Sequence, residues 1–441
     1  MRVAIMLALA CAALPGQAGE TWLLQVERWG TQSAMTLHLE DIDGRLTGSL
    51  DGDALQGRRS GKHISLSVTD RRGKRYDYTG TVDAAGMQGS ADFPDTNDAQ
   101  ARARHTFRAR RLPARTSDAP RFHTFTPSSY ANEFSASRAP VLTIWPGDTV
   151  RTSTVDSGGV DQYGVTRALY GNPQTGPFFV MGAEAGDTLV IRLRRLRLNR
   201  DWADSLDALV GRVQTTALAA RATALGKPVR WTLDRERGLA RPAAAGPGLA
   251  GFALPLRPML GGLGLAPPDG PGLSTGDSAR FGGNMDFNEV VEGNTVYLPV
   301  QQPGALLYLG DAHALQGDGE ISQFALETSM DVTFTVELIK GKAIPMPRVD
   351  SPTHIMTLGQ AGSLDEGIRM ATAGMVLVLQ QDYGLSLQEA AIVLGSSIGY
   401  QVANLAGRSV GVAAKFDRRL LERNAAPAYH SEGAELAAPA R

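Results

Sequence analysis

The eleven residues from Gly310 to Glu320 (Gly-Asp-Ala-His-Ala-Leu-Gln-Gly-Asp-Gly-Glu) constrain the fold of this chain more than any other stretch. They hold three carboxylates, one imidazole and three glycines, and they directly follow Ala305–Leu309, an apolar run typical of a strand. Asp, His and Glu lose hydration on burial unless they are paired or bind a metal. Glycines allow positive φ and a close approach to a bound ion or substrate. The stretch therefore predicts acid and ligand groups gathered at one strand end.

Chain length and charge set broad limits on the class of protein. A chain of 441 residues is too long for one ordinary core, so two or more domains are expected. The 44 Lys and Arg residues balance 45 Asp and Glu residues, so no basic field is available for nucleic acid. Nucleic acid is therefore excluded as the expected partner.

Residues 1–18 have the pattern of a cleaved secretory signal. Met1 and Arg2 form a charged tip, residues 3–14 are mostly apolar, and small residues precede Gly19. The apolar run is too short for a transmembrane helix, so no membrane anchor is expected. Cys11 is the only cysteine, and it lies within this segment, so the mature protein has no disulfide, thiolate nucleophile or Cys-based zinc site. The sequence predicts a periplasmic or secreted protein.

Residues 20–112 alternate between apolar and polar positions, as half-buried strands do. Three such runs are Thr36–Glu40, Arg45–Leu50 and His63–Val68. Turn residues such as Asp43-Gly44 separate the runs at hairpin spacing. This part of the chain is predicted to be a small antiparallel β-module without catalytic residues.

Residues beyond 113 mix strand and helix patterns. The apolar spacing within 200–225 predicts a helix, and the Gly-, Pro- and Ala-rich stretch 240–276 predicts mostly loop. Residues 364–405 predict two helices, the second continuing beyond an interruption at Gly395. That second helix opens at Ser386 with a Glu three residues later, the pattern of a capping box.

Six sequence blocks, taken together and in this order, resemble the acetamidase/formamidase family of amide hydrolases. The resemblance covers about 121–345, with a weaker match near 405–412, and does not include the β-module. The blocks are Trp145–Val150, Thr154–Gly159, Asn172–Pro177, Gly182–Leu189, Gly282–Asp286 and Gly310–Glu320.

The resemblance implies a fold class as well as an activity. It implies a mainly β chain with some α (α+β), in which a β-sandwich core is followed by C-terminal helices. We expect this catalytic domain to span 113–425, with an inserted segment at about 196–250 and a flexible tail at 426–441. The small antiparallel β-module would precede it.

Amide hydrolysis needs a nucleophile, and the sequence narrows the choice. A thiol is excluded by the absence of cysteine beyond Cys11. The run Gly395–Gly399 contains two serines, but it lacks a lysine partner and lies in an apolar helical pattern. The remaining route is water activated by a divalent metal ion.

The predicted metal ligands are mostly carboxylates, because His313 is the only histidine in the matched blocks. One imidazole with several carboxylates suits Zn²⁺, and oxygen ligands suit Ca²⁺ or Mn²⁺; Zn²⁺ and Ca²⁺ are the leading candidates. The predicted ligands are Asp156, Asp311, His313 and Glu327.

Two further groups of residues complete the predicted site. Glu320 is the first candidate for the general base and for proton delivery to the leaving amine. The other candidates for proton transfer are Asp318 and Asp286. The residues predicted to contact the substrate are Asn284, Gly283 and Gly317.

Three functions remain open at this point. The first is an exported hydrolase that converts small linear amides, such as formamide or acetamide, to carboxylate and ammonia. The second keeps the site but takes a larger or cyclic amide, because the segment 196–276 is expanded. The third is a non-catalytic periplasmic binding protein with a structural Ca²⁺. Association into a homo-oligomer is left open.

We expect export to remove residues 1–18, so that the mature chain begins near Gly19. Intact-mass measurement of the protein recovered from periplasm or medium checks this. A cytoplasmic form that retains Met1 would contradict the prediction.

Overall fold

The computed structural model describes residues 19–98, 100–115, 117, 119–268 and 272–421. The chain divides into two compact units, Met1–Asp118 and Ala119–Arg441. The predicted signal (1–18) and the predicted tail (426–441) lie outside the described residues.

The first unit is a closed barrel of eight antiparallel strands, in which each strand pairs with the next and β8 pairs with β1. The three strand patterns recognised in the sequence lie within β2, β3 and β5. The strands are β1 (Glu20–Arg28), β2 (Thr31–Ile42), β3 (Arg45–Leu50), β4 (Asp53–Ser60), β5 (His63–Thr69), β6 (Arg75–Val82), β7 (Met87–Pro94) and β8 (Arg102–Arg111).

Alternation of side chains fills the interior of this barrel. In β8, Phe107 and Ala109 are buried while Arg104 and Arg108 are exposed, because successive residues of a strand face opposite sides. Phe107 meets Tyr78 edge to face, with ring centroids 5.5 Å apart. Buried aliphatic and aromatic side chains from all eight strands form one core.

The second unit contains the remaining strands and the three α-helices of the described residues. The strands are β9 (Phe122–Thr124), β10 (Glu133–Phe134), β11 (Leu142–Ile144), β12 (Thr149–Ser153), β13 (Gln174–Val180), β14 (Thr188–Leu198), β15 (Trp202–Leu206), β16 (Pro228–Asp234), β17 (Leu239–Pro242), β18 (Leu254–Pro255), β19 (Met259–Leu265), β20 (Leu273–Ser274), β21 (Ser278–Ala279), β22 (Gly282–Asn284), β23 (Thr295–Pro299), β24 (Leu307–His313), β25 (Glu327–Thr328), β26 (Met330–Ile339), β27 (Arg348–Asp350), β28 (His354–Ala361), β29 (Gly399–Asn404) and β30 (Val410–Asp417). The helices are α1 (Thr216–Arg221), α2 (Leu364–Tyr383) and α3 (Leu387–Ser397).

Two large sheets organise these strands. One runs β18-β17-β16-β15-β25-β24-β19-β22-β21, with β13 also paired to β24 and β11 paired to β13. The other runs β29-β30-β28-β27-β23-β14-β26-β12-β9. One hydrophobic core takes side chains from both sheets, including Leu260 and Leu309 from the first and Ile191 and Phe334 from the second.

The prediction of a mainly β chain is confirmed, since strands make up 47% and helices 12%. Helices α2 and α3 cover β28 and β30, and a separate group of buried side chains that includes Met375, Leu394 and Phe416 joins them. The predicted capping box is present, because the Ser386 hydroxyl accepts from the Glu389 N–H and the Glu389 carboxylate accepts from the Ser386 N–H. None of the described helices combines the length and hydrophobicity that a membrane span requires.

The helix predicted within 200–225 is wrong for most of its length. Residues 202–206 form β15, which pairs with β16, and only Thr216–Arg221 is α-helical, after a short 3-10 turn at Gly211–Val213. In β15, Ala203 and Ser205 are buried while their neighbours are half-buried, so the burial has the two-residue period of a strand. The hydrogen bonds that β15 makes to distant strands outweigh the local apolar spacing.

The loop predicted for 240–276 is wrong at its centre. Residues Met259–Leu265 form β19, a fully buried strand that pairs with β24 and β22. The helix predicted beyond Gly395 also ends early, because Gly399–Asn404 is strand β29. Both segments have tertiary partners that their composition does not reveal.

An ion-pair network joins β27 to α2. The Arg348 guanidinium donates to both oxygens of Asp350 and, at 2.6 Å, to Asp382 near the end of α2. Lys342 donates to the other oxygen of Asp382 at 2.6 Å. Burial alone would raise the pKa of Asp382, but the charges of Arg348 and Lys342 and their hydrogen bonds outweigh it and lower that pKa.

We predict that Asp382→Asn lowers the free energy of unfolding by about 2 kcal/mol at pH 7, the usual contribution of hydrogen bonds to charged groups. Because the folded-state pKa of Asp382 is depressed, its stabilisation is present above the unfolded-state value of about 4 and is lost as pH falls through the lower folded-state value. Urea unfolding at pH 7 and pH 3 measures both effects. Gln381→Ala, at the exposed neighbouring residue, is the control, and its free energy of unfolding should lie within about 0.5 kcal/mol of the wild-type value. Equal stability of the wild type and Asp382→Asn at pH 7 would contradict the prediction.

Candidate metal centre

Strand β24 lies inside its sheet and carries two of the predicted ligands. Asp311 and His313 are two residues apart, so both can face the same side of the sheet. The strand extends through both residues and ends at His313, where the sequence pattern placed the strand end. They are fully buried, and strands β13, β19 and β25 pair with β24 around them.

The register of the sheet brings Glu327 to the same place. Glu327 begins β25 and lies directly opposite His313 in the antiparallel pair. Its Oε1 is 3.2 Å from His313 Nε2, and Asp311 Oδ1 is 3.5 Å from the same nitrogen. A buried imidazole nitrogen thus faces two buried carboxylates.

A second arm of the site comes from the residues after β22. Asp286 is fully buried, and its Oδ2 accepts hydrogen bonds from the side-chain amides of Asn284 and Asn404. Asn172 donates to Asn284 Oδ1 at 2.8 Å and to Asp311 Oδ2 at 3.2 Å. These amides link the two arms and fix the orientation of both carboxylates.

The backbone at the site is held in an uncommon conformation. Asn172, Asp286, Asp311 and Glu320 all have positive φ, between 43° and 57°. Non-glycine residues adopt this region at a cost, and such residues cluster where function requires a fixed geometry. Four of them at one place indicate that the surrounding packing forces these side chains towards a common point.

Gly261 of β19 allows the group to close. A Cβ at this position would lie 2.6 Å from the carboxylate oxygens of Asp286 and Asp311 and 2.8 Å from the His313 ring. At Gly262, a Cβ would collide with the side chain of Gln174. Any larger residue at either position would displace the groups of the site.

Gln316 fixes the tautomer of His313. The Gln316 amide nitrogen donates to the carbonyls of Asp286 and Ala403, so its oxygen must face His313 Nδ1, which is 2.9 Å away. Nδ1 therefore carries a hydrogen, which leaves Nε2, the nitrogen facing Asp311 and Glu327, as the ring atom that can bind a metal. A hydrogen bond of this kind on the outer ring nitrogen is the usual support of a metal-bound histidine.

Burial and mutual repulsion perturb the titration of the group. Burial raises the pKa of Asp286 well above its ordinary value, and the charge of Asp311 raises it further. Burial likewise raises the pKa of Glu320, and the charge of Asp286 adds to that rise. Burial also raises the pKa of Glu327. For His313 burial alone would lower the pKa, but the carboxylates of Glu327 and Asp311 outweigh it and raise that pKa well above its ordinary value.

The donor atoms fit a divalent cation. Asp286, Asp311 and His313 offer ligand atoms within 4.8 Å of one another, and so do His313, Glu320 and Glu327. Four buried atoms of the group have no hydrogen-bond partner among the described residues: Asp286 Oδ1, Asp311 Oδ1, His313 Nε2 and Glu327 Oε2. Buried polar atoms are rarely left unpaired, and carboxylate oxygens with one imidazole nitrogen are ordinary ligands of Zn²⁺, Mn²⁺ or Ca²⁺.

The structure does not bring Asp156 into this group, contrary to its predicted role as a ligand. Asp156 Oδ2 accepts from Arg200 at 2.7 Å and Oδ1 accepts from the Val160 N–H at 2.8 Å. Both oxygens are therefore committed within the protein. Arg200 also donates to the carbonyl of Glu327, so Asp156 anchors the strand next to the site.

Asp318, a predicted proton-transfer residue, also lies apart from the group. It is exposed, and its carboxylate accepts from Asn288 at 2.8 Å and from Gln401 at 2.7 Å. Gly317 is exposed in the same turn, and its carbonyl accepts from the Glu320 N–H. Both positions shape the turn that leads to Glu320.

Asn284 and Gly283, predicted to contact the substrate, are buried. The side chain of Asn284 is bonded to Asp286 and Asn172. A Cβ at Gly283 would lie 2.3 Å from the Asp277 carbonyl, so glycine is needed there for packing.

The serine alternative has no support in the geometry. The hydroxyls of Ser396 and Ser397 donate to the α3 carbonyls of Ile392 and Val393, the usual arrangement for serine within a helix. Several amide residues that orient the site carry no charge, so the pattern of acids and His313 in the sequence does not reveal their role. These residues are Asn172, Gln174, Gln316 and Asn404.

Fold and site together define a β-rich protein with a buried carboxylate and histidine centre. Residues 266–363 match the sequence profile of the Acetamidase/Formamidase family, and this range includes Asp286, Asp311, His313, Glu320 and Glu327. Four of these residues lie in the sequence blocks that carry the resemblance, and Glu327 lies seven residues beyond the last block. The resemblance to the family is therefore confirmed, and it rests on the segment that carries the site.

Known proteins extend this similarity. A putative formamidase of Schizosaccharomyces pombe is 45% identical over 60 residues, which are 13% of this chain and 15% of that protein. The chain thus aligns with only about a seventh of that relative's length. The structure of a predicted acetamidase/formamidase from Thermoanaerobacter tengcongensis is 25% identical with a TM-score of 0.59, covering 69% of this chain and 99% of that one. An acetamidase structure from Yersinia enterocolitica is 28% identical with a TM-score of 0.60, covering 68% of this chain and 93% of that one.

We predict that His313→Ala lowers the affinity for a divalent metal, because it removes the nitrogen donor common to both ligand groups. The loss should exceed the roughly 10- to 100-fold that removing an outer hydrogen-bond partner of a ligand usually costs. Metal content after dialysis, measured by mass spectrometry with Zn²⁺ and Ca²⁺ compared, checks this. His63→Ala, at an exposed histidine of the barrel, is the matched control and should retain its metal. Equal metal content in the two variants would count against the site.

Proposed function

We propose that the protein is an exported amidase that hydrolyses the C–N bond of small linear amides to carboxylate and ammonia. The observation that carries this proposal is the buried group of Asp286, Asp311, His313 and Glu327, each with an unpaired ligand atom. Relatives named formamidase and acetamidase support the substrate class. The signal pattern of residues 1–18 supports export.

The unpaired atoms suggest how the roles divide. They assign Asp286, Asp311, His313 and Glu327 to metal binding, with Asp286 in the place first given to Asp156. Glu320 lies within the same group but has no unpaired buried oxygen, and its Oε1 accepts from the Ala325 N–H at 3.1 Å. Glu320 is therefore the residue left to move protons.

A divalent cation bound at these donors would polarise the amide carbonyl and lower the pKa of a neighbouring water. Glu320 accepts the proton that the attacking water loses and delivers it to the departing nitrogen. Burial raises the pKa of Glu320 well above its ordinary value, so its carboxyl group holds a proton more tightly than a solvated glutamate does. Gln316, Asn284 and Asn172 hold His313, Asp286 and Asp311 in place, so that little reorganisation is needed during the reaction.

We predict that Glu320→Gln lowers turnover of acetamide by about 10²–10⁴-fold while metal content is retained, the usual effect of losing positioned proton transfer. Ammonia release by the purified protein, with and without chelator, gives the rates, and mass spectrometry gives the metal. Chelation should abolish turnover in the wild type.

Asp318→Asn is the matched control, because this carboxylate lies on the same turn but outside the ligand groups. It should change turnover by less than about tenfold. Loss of metal in Glu320→Gln would make Glu320 a ligand, and full activity after exhaustive chelation would refute metal-assisted hydrolysis. Metal binding without turnover on any amide would favour the binding protein with a structural Ca²⁺.

A further inference from the structure

An exposed apolar surface lies in two segments next to the metal-binding group. Leu169 is 80% exposed, Tyr170 68% and Ile321 43%. Tyr163 is also strongly exposed, and Phe324 is half-buried. We call these five side chains the apolar rim. Exposed apolar side chains scattered singly are ordinary, but contiguous ones mark binding surfaces.

Chain connectivity places the rim at the proposed catalytic group. Tyr170 lies two residues before Asn172, which bonds the Asp311 carboxylate. Ile321 directly follows Glu320. Phe324 directly precedes Ala325, whose N–H donates to both Glu320 and Glu327.

Contacts between side chains join the two segments. The rings of Tyr170 and Phe324 meet with centroids 6.3 Å apart. Burial raises the pKa of the Tyr170 hydroxyl, and the charges of the Glu327 and Asp311 carboxylates raise it further. Tyr170 and Phe324 therefore form the part of the rim at which the two segments meet.

The exposure of the rim is fixed by an ordered backbone. Asp161 accepts hydrogen bonds from the N–H groups of Tyr163 and Val165 and pairs with Arg167 at 2.7 Å. Asn132 donates to the Leu169 carbonyl at 3.0 Å. These bonds order the backbone of a segment whose apolar side chains face water, a costly arrangement unless something covers them.

We propose that the apolar rim binds an apolar substituent of the amide substrate, so that the preferred substrates carry an aryl or branched alkyl group. This inference rests on the proposed amidase function. The reacting C–N bond lies at the acidic group, and the substituent extends over Tyr170 and Phe324. Ligand sites of this kind combine a few polar groups with an apolar and aromatic lining. Formamide, with no carbon substituent, would leave the rim uncovered.

The test compares kcat/KM of the Zn²⁺-loaded full chain on acetamide, phenylacetamide and N-benzylformamide. The two aryl amides carry the ring on the acyl carbon and on the nitrogen respectively, so they distinguish the two orientations. Burial of one aromatic group predicts about a tenfold or greater preference for one of them over acetamide. Tyr170→Ala and Phe324→Ala should reduce that preference by about fivefold or more.

Ile392→Ala is the matched control, since Ile392 is 66% exposed on α3 and its loss should leave the preference unchanged. Acetamide turnover with no preference for either aryl amide would overturn the inference and leave the proposed function standing. No turnover on any of the three amides would overturn both. If Tyr170→Ala leaves the preference unchanged but dissociates an oligomer in light scattering, the rim is an interface between copies and the inference fails.

Discussion

Repulsion among four buried carboxylates is the constraint on which the second unit depends. Asp286, Asp311, Glu320 and Glu327 are withdrawn from water around a single imidazole. Like charges in a low-dielectric interior are costly unless protons or a cation compensate them. The upward pKa shifts of Asp286 and Glu320 express this cost in the absence of a cation. The scaffold must therefore be rigid enough to hold side chains that repel one another.

Three strands provide that rigidity by pairing with β24. The register with β25 places Glu327 opposite His313, and β19 approaches closely because Gly261 has no side chain. Side-chain amides then donate hydrogen bonds to the carboxylate oxygens that are not available to a cation, as Asn404 and Asn284 do to Asp286 Oδ2. The same network leaves one atom of each donor unpaired, which is the feature that joins the architecture to the proposed chemistry.

Local patterns were reliable where neighbouring residues decide the structure. The capping box at Ser386 and the strands of the barrel depend on contacts within a few residues or on simple hairpins. Local patterns failed where pairing with distant strands decides the secondary structure. Residues 202–206 have the spacing of a helix, but they pair with β16 and β25 and form a strand.

By itself the sequence determined the chemical character of the centre, because the acids and His313 of residues 310–320 are too polar for an ordinary core and no cysteine is available. Only the tertiary structure decided which acids meet there. Glu327 joins through the register of β25 with β24, and Asp286 joins through its N–H bond to the Gly261 carbonyl of β19. Asp156 instead pairs with Arg200, a residue 44 positions away. The role of Gln316 also depended on the fold, since its amide is oriented by the carbonyls of Asp286 and Ala403. Spacing along the chain cannot predict such contacts, because they arise from the pairing of strands far apart in sequence.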